Sequence, residues 1–302
     1  MTDDLTDCLT RLRADHGGDI RTGFMPTRLP AVKLFWSDHP IPRVPLVYDP
    51  GIAVIISGRK TGFLGDRSFV YDKGCYLAVG LPVCFDCETE ATSEAPLIGL
   101  FLRSDRKVLH ELASSLFETR GAAVSGPVTL GVEPLRLGGS MRDAVGRLAR
   151  QLADDAEASL LAPTTVREIF FHALQDPHGR VLLAQTRPDR PEARIAALLQ
   201  QIQTSQGKAP SIDKIAALSG MSAASFHRHF KAAFGTSPLQ YLKQRRLMRA
   251  WNLLVDEKLS VTQTAQELGY ASPAQFSRDF RSFFSVSPSQ AGATGVAGFE
   301  KD

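Results

Sequence analysis

The sequence predicts an α+β chain: an antiparallel β-barrel or sandwich with appended helices, then an all-helical segment with two helix-turn-helix units. Three observations carry this. Residues 45–103 break into short β-branched or apolar runs separated by turn signals. From residue 104 to 185 apolar residues instead recur three and four apart. Finally, residues 211–238 match residues 261–288 at a constant offset of 50 without a gap.

The chain has 302 residues, 43% of them hydrophobic and 22% charged, enough for two ordinary globular domains. Its N-terminus, MTDDLTDCLTRLRADHGGDI, lacks a basic start followed by an apolar run. No stretch approaches the roughly 18 apolar residues of a membrane span. The four cysteines are too sparse for a disulfide scaffold. These features predict a cytoplasmic protein without a membrane partner.

Residues 1–186 are expected to form one unit. Its barrel covers about 40–103, through GIAVIIS, SFVY, CYLAV, VCFDCE and LIGLFL separated by LGD and DKG turns. Helices follow over about 104–185, in SDRKVLHELASSLF, MRDAVGRLARQLADD and PTTVREIFFHAL. The segment TRPDRP, Thr186 to Pro191, has prolines and charges without periodicity, which places a linker at 187–191. Beyond it the charge changes sign. Residues 187–302 hold 15 basic and 9 acidic side chains against 20 and 23 before them, so the C-terminal third is basic and suits a polyanionic partner.

In each repeat copy a short helix, with Ile212, Ile215 and Ala216 or Val261, Ala265 and Leu268, precedes a turn containing Gly220 or Gly269. A serine, Ser222 or Ser272, then stands at an N-cap position. Identical pairs run from Leu218 and Leu268 through Phe226 and Phe276 to Pro238 and Pro288. The second helix of each copy places phenylalanines at i, i+4 and i+8. Its opposite face then carries Ala224, His227, Arg228 and Lys231 in the first copy, and Ala274, Gln275, Ser277, Arg278 and Arg281 in the second. A helix-turn-helix sets that helix in the major groove of double-stranded DNA. Arg228 and Arg278 are candidates for guanine, Gln275 for adenine or phosphate, His227 for a base edge or phosphate, and Lys231 and Arg281 for phosphates. The units are expected at about 211–235 and 261–285, inside a DNA-binding domain at 192–290. A breaker-free linker helix at 238–254 joins them, and a tail follows at 291–302. Arg245, Arg246 and Arg249 on that helix are open to two readings, phosphate contact or bracing.

The stretches IAALSGMSAASFHRHFKAAFGTSPLQYLKQRRL and VTQTAQELGYASPAQFSRDFRSFFSVSPSQ resemble the DNA-binding domain of AraC/XylS-family regulators. The resemblance implies a sequence-specific transcription regulator, an activator rather than a repressor, with its recognition helices in adjacent major grooves and RNA polymerase as a further partner. It again points to Ala224, His227 and Arg228, and to Ala274, Gln275 and Arg278. The chain departs from the family pattern in its small Ala224 and in AGATG at 291–295.

PLVYDPGIAVIISGRK and YDKGCYLAVGLPV resemble the cupin-like N-terminal domain of one branch of that family. Such a domain implies a small-molecule effector or homodimer formation. The rival reading, a metal-dependent cupin enzyme, needs a histidine cluster, yet no histidine lies between His39 and His110. No catalytic residue, cofactor or metal is therefore expected. Cys84 and Cys87 form C-x-x-C and support an alternative as a thiol or redox-responsive regulator, although an extended strand points such a pair to opposite faces. Arg59, in GRK, is a candidate for an anionic effector.

Overall fold

The computed structural model describes residues 2–15, 22–120, 131–186, 190–204, 210–255, 257–284 and 286–293. Helix α1 (Thr2–Asp15) comes first. Nine strands follow: β1 (Thr22–Pro26), β2 (Val32–Ser37), β3 (Ile41–Tyr48), β4 (Gly51–Ser57), β5 (Arg59–Leu64), β6 (Arg67–Asp72), β7 (Cys75–Val79), β8 (Val83–Glu90) and β9 (Leu97–Arg103). Helix α2 (Arg106–Arg120) precedes β10 (Val132–Arg136). Then come α3 (Gly139–Gln151), α4 (Asp155–Leu160), α5 (Ala162–Gln175) and a 3-10 helix, Gly179–Thr186. The strands form two antiparallel sheets, ordered β1-β2-β9-β4-β7-β10 and β3-β8-β5-β6, which face one another as a flattened barrel.

The barrel is larger than its expected span of 40–103. Strands β1 and β2 precede it, and β10 returns after α2 to pair with β7. The tertiary layering explains why β4, β7 and β9 are apolar almost throughout rather than alternating. One face, with Ala53, Ile55, Leu77 and Phe101, lines the barrel interior. The other, with Ile52, Val54, Tyr76 and Leu100, is covered by Leu9 and Leu12 of α1, Val145 and Leu148 of α3, and Ile169 and Phe170 of α5. Strands buried on both faces read as continuous apolar runs. Each fully buried Leu or Ile contributes about 1.5–3 kcal/mol.

The C-terminal part is all helical: α6 (Pro191–Thr204), α7 (Ile212–Leu218), α8 (Ala223–Phe234), α9 (Pro238–Val255), α10 (Val261–Glu267), α11 (Pro273–Phe284) and a 3-10 helix, Pro288–Ala293. Residues 187–189 of the expected linker and 294–302 of the expected tail lie outside the described residues. No helix among the described residues is long and apolar enough to cross a membrane.

The helices do not stand apart from the barrel. One apolar cluster runs from the barrel interior through Leu81, Val132 and Ala184 into Ile195, Ile215, Phe226 and Phe230. Gly131 N–H donates to the Ala233 carbonyl at 3.2 Å, and the Tyr241 hydroxyl donates to the Pro82 carbonyl at 3.0 Å. Gly235 ends α8 in the left-handed conformation at φ 72°, and a Cβ there would meet Leu64 Cδ1 of β5 at 2.6 Å. Leu46 and Val47 of β3 pack against the cluster of the second repeat copy. Both copies therefore rest on the β3–β8–β5 sheet.

Candidate nucleic-acid interface

Each copy is built from a capped pair of helices. Ser211 Oγ accepts from Lys214 N–H at 3.3 Å to start α7, and Ser260 starts α10 in a reciprocal capping box with Gln263. Ser222 Oγ accepts from Ser225 N–H at 3.3 Å to start α8, and Ser272 Oγ from Gln275 N–H at 3.2 Å to start α11. Gly220 and Gly269 both take φ 69° between the helices, a conformation that favours glycine.

These elements correct the gapless repeat. The recognition helices do align at an offset of 50, since Ser222 matches Ser272 and Phe226 matches Phe276. The first helices align at 49, as the paired caps Ser211 and Ser260 and the paired turns Gly220 and Gly269 require. The second turn holds one more residue: Met221 alone separates Gly220 from its cap, whereas Tyr270 and Ala271 separate Gly269 from Ser272. Leu268 is thus the counterpart of the C-cap Ser219, not of Leu218, and Leu218 is exposed.

The phenylalanines fall as the spacing predicts. Phe226, Phe230 and Phe234 are buried in a ladder with ring centroids 5.5 and 4.4 Å apart; Phe276, Phe280 and Phe284 repeat it at 5.6 and 4.6 Å. Helix α9 supplies one aromatic to each ladder. Tyr241 packs edge-on to Phe230 and Phe234, and Trp251 stacks on Phe280 at 5.8 Å.

On the opposite faces, Ala224, His227, Arg228 and Lys231 are exposed on α8, as are Ala274, Gln275, Arg278 and Arg281 on α11; Ser277 is half-buried. Among the described residues no carboxylate pairs with Arg228, Lys231, Arg278 or Arg281. The basic residues of α9 differ. Lys243 pairs with Asp279 of α11 at 2.8 Å, Arg245 lies 3.6 Å from Asp49, Arg246 sits over the Tyr270 ring at 4.1 Å, and Arg249 pairs with Glu257 at 2.7 Å. Of the two readings left open for the arginines of α9, Arg245 and Arg246 meet other elements as braces do, whereas Arg249 pairs with the loop that follows its own helix. His229 also turns inward, toward Glu192 of α6 at 3.4 Å.

The barrel interior holds a mostly apolar cavity that opens to solvent. Its walls include Phe24, Phe35, Trp36, Val44 and Phe101, and its polar lining comprises Thr22, Tyr48, Lys60, Cys87 and Thr89. No histidine or carboxylate is among the lining residues, so the donor set does not fit the metal centre of a cupin enzyme. Arg59 is a correction. It lies on the outer face of β5, half exposed, beside Asp72 at 3.7 Å and Glu90 at 3.9 Å. Strand alternation turns the neighbouring Lys60 inward instead, a residue the sequence reading passed over.

Cys84 and Cys87 are free, buried, and three apart on the uninterrupted β8. Cys87 faces the cavity, 3.3 Å from the Tyr71 hydroxyl, whereas Cys84 is turned toward Arg245. Burial pushes both thiols up, so neither is held as the reactive thiolate. The redox alternative gains no support from this geometry.

Two capped helix pairs with bare cationic faces, seated on a hollow barrel, define a DNA-binding regulator with an N-terminal regulatory domain. A family model described as the AraC-type transcriptional regulator N-terminus matches residues 28–181, and a helix-turn-helix domain model matches residues 215–293. The chain belongs to the AraC family of transcriptional regulators. It is 25% identical over 278 residues to the virulence regulon transcriptional activator VirF of Yersinia enterocolitica, covering 89% of this chain and 98% of VirF. The thermoregulatory protein LcrF of Yersinia pestis is 26% identical over the same shares. The fold is similar to that of ToxT from Vibrio cholerae, with a TM-score of 0.61 at 14% identity, over 89% of this chain and 97% of ToxT.

Proposed function

We propose that this regulator is an activator that reads two adjacent major grooves through α8 and α11. The observation that carries this is the pair of unpaired, exposed arginines, Arg228 and Arg278, at the same position of both helices. Arg228 and Arg278 contact base edges together with His227 and Gln275, against which Ala224 and Ala274 leave room for close approach; Ser277, Lys231 and Arg281 meet the backbone. VirF, an activator by name, supports the sign of regulation. RNA polymerase is the partner an activator requires, and the cytoplasm is where it acts.

A small-molecule effector occupies the barrel cavity in this reading. Its support is the apolar-walled cavity and the fatty acid bound in the ToxT structure. The exposed Leu160 and Leu161, where α4 meets α5, favour a second copy of the chain as a further partner.

Selection of genomic fragments by the purified protein tests the reading. A bipartite motif with half-sites about one turn, roughly 34 Å, apart is expected. It should vanish for the Arg228→Ala/Arg278→Ala double variant. Equal enrichment by both proteins overturns the assignment of these arginines.

A further inference from the structure

We infer that the barrel cavity binds an apolar organic monoanion whose single carboxylate is held by Lys60. The inference rests on the effector reading above and names the ligand's class. Lys60 is only 8% exposed, yet it projects from β5 into the cavity with Nζ 5.9 Å from the centroid of the Tyr48 ring. It stands opposite Thr89 in the β5–β8 register, and Cys87 follows on the same face of β8. Among the described residues no carboxylate pairs with it.

A buried ammonium without a counter-ion is costly, and the chain accepts that cost where the side chain lines the cavity. Burial accordingly lowers the proton affinity of Lys60. An incoming carboxylate supplies the missing charge in a low-dielectric wall, where a charge-assisted hydrogen bond is strong. The same geometry rejects other classes. A cationic ligand meets the Lys60 charge. A polyol would bury hydroxyls against Phe24, Phe35, Trp36 and Phe101 with few partners, and a dianion would find one cation for two charges.

Calorimetric titration of the full chain with octanoate, octanol and octylammonium, matched in apolar length, tests this. Octanoate is expected to bind at least about tenfold more tightly than octanol, a gap of about 1.4 kcal/mol. Octylammonium should bind more weakly than octanol. Lys60→Met should abolish the octanoate advantage while keeping octanol binding, and Lys60→Arg should preserve the advantage, so a folding defect in one variant does not decide the result. If octanol equals octanoate, or Lys60→Met keeps the preference, the anion inference fails and the effector reading stands. If no probe binds the parent protein, both fail.

Discussion

The Tyr241 hydroxyl donates a 3.0 Å hydrogen bond to the Pro82 carbonyl, joining the helix between the two readers to the start of β8. The same Tyr241 ring packs on Phe230 and Phe234 behind the first recognition helix. Four residues on, Arg245 lies 3.6 Å from Asp49, next in sequence to Tyr48 of the cavity wall. A short path of packed groups thus connects the barrel cavity to the helix that spaces the readers.

Tyr241→Phe keeps the ring and removes the donor, leaving the Pro82 carbonyl without it. A loss of about 1–3 kcal/mol is expected, read as a lower denaturant midpoint for the full chain. An unchanged midpoint shows that the hydrogen bond contributes nothing net.

Gly235→Ala places a Cβ at φ 72° and against Leu64. The substitution should destabilise by more than about 1 kcal/mol, visible in thermal unfolding. The Gly235→Ala cost should be smaller when measured in a Leu64→Ala background than in the parent; an equal cost in both makes it one of backbone conformation alone.

Base-reading and phosphate-reading residues should separate by salt. Arg278→Ala is expected to cost about 1–3 kcal/mol on the preferred site and to relax preference at one position. Lys231→Ala should weaken preferred and scrambled duplexes alike and reduce the salt slope by about 1. Fluorescence anisotropy over a salt series distinguishes them, and a uniform loss for Arg278→Ala would reassign it to the backbone.

Lys60 carries a stability cost with a defined pH sign. Its folded-state proton affinity is lowered by burial, so the unfolded chain binds more protons in the window between the lowered folded value and the ordinary lysine value of 10.5. The resulting penalty is present at neutral pH and fades as pH rises toward that value. Lys60→Met should therefore be more stable than the parent at neutral pH, with the advantage shrinking in alkali. Thermal melts across pH give the measurement, and a constant offset would place the effect in packing.

Much of the site was legible because its determinants are local. Serine caps, glycine turns and the i, i+4, i+8 phenylalanines depend on a few neighbouring residues, so the faces bearing Arg228 and Arg278 could be read off directly. The one-residue difference between the turns was hidden by an ungapped comparison, because matching Leu218 to Leu268 preserved residue type while shifting the structural role. Paired serine caps and paired glycines at φ 69° were the signal that revealed it.

The two helical readers, their exposed basic faces and the α+β character of the chain follow from residue order, since helical periodicity and capping are short-range properties. The extent of the barrel came from folding in three dimensions, for β2 and β10 gain partners in β9 and β7 across long separations, and β1 joins the sheet through β2. Folding likewise decided that Lys60 rather than Arg59 faces the cavity. Strand alternation assigns neighbours to opposite faces, but which face is inside depends on the sheet packed against it. The bracing of α9 against β3 and β8 has the same origin: Asp49 and Pro82 meet Arg245 and Tyr241 only when the chain has folded back on itself.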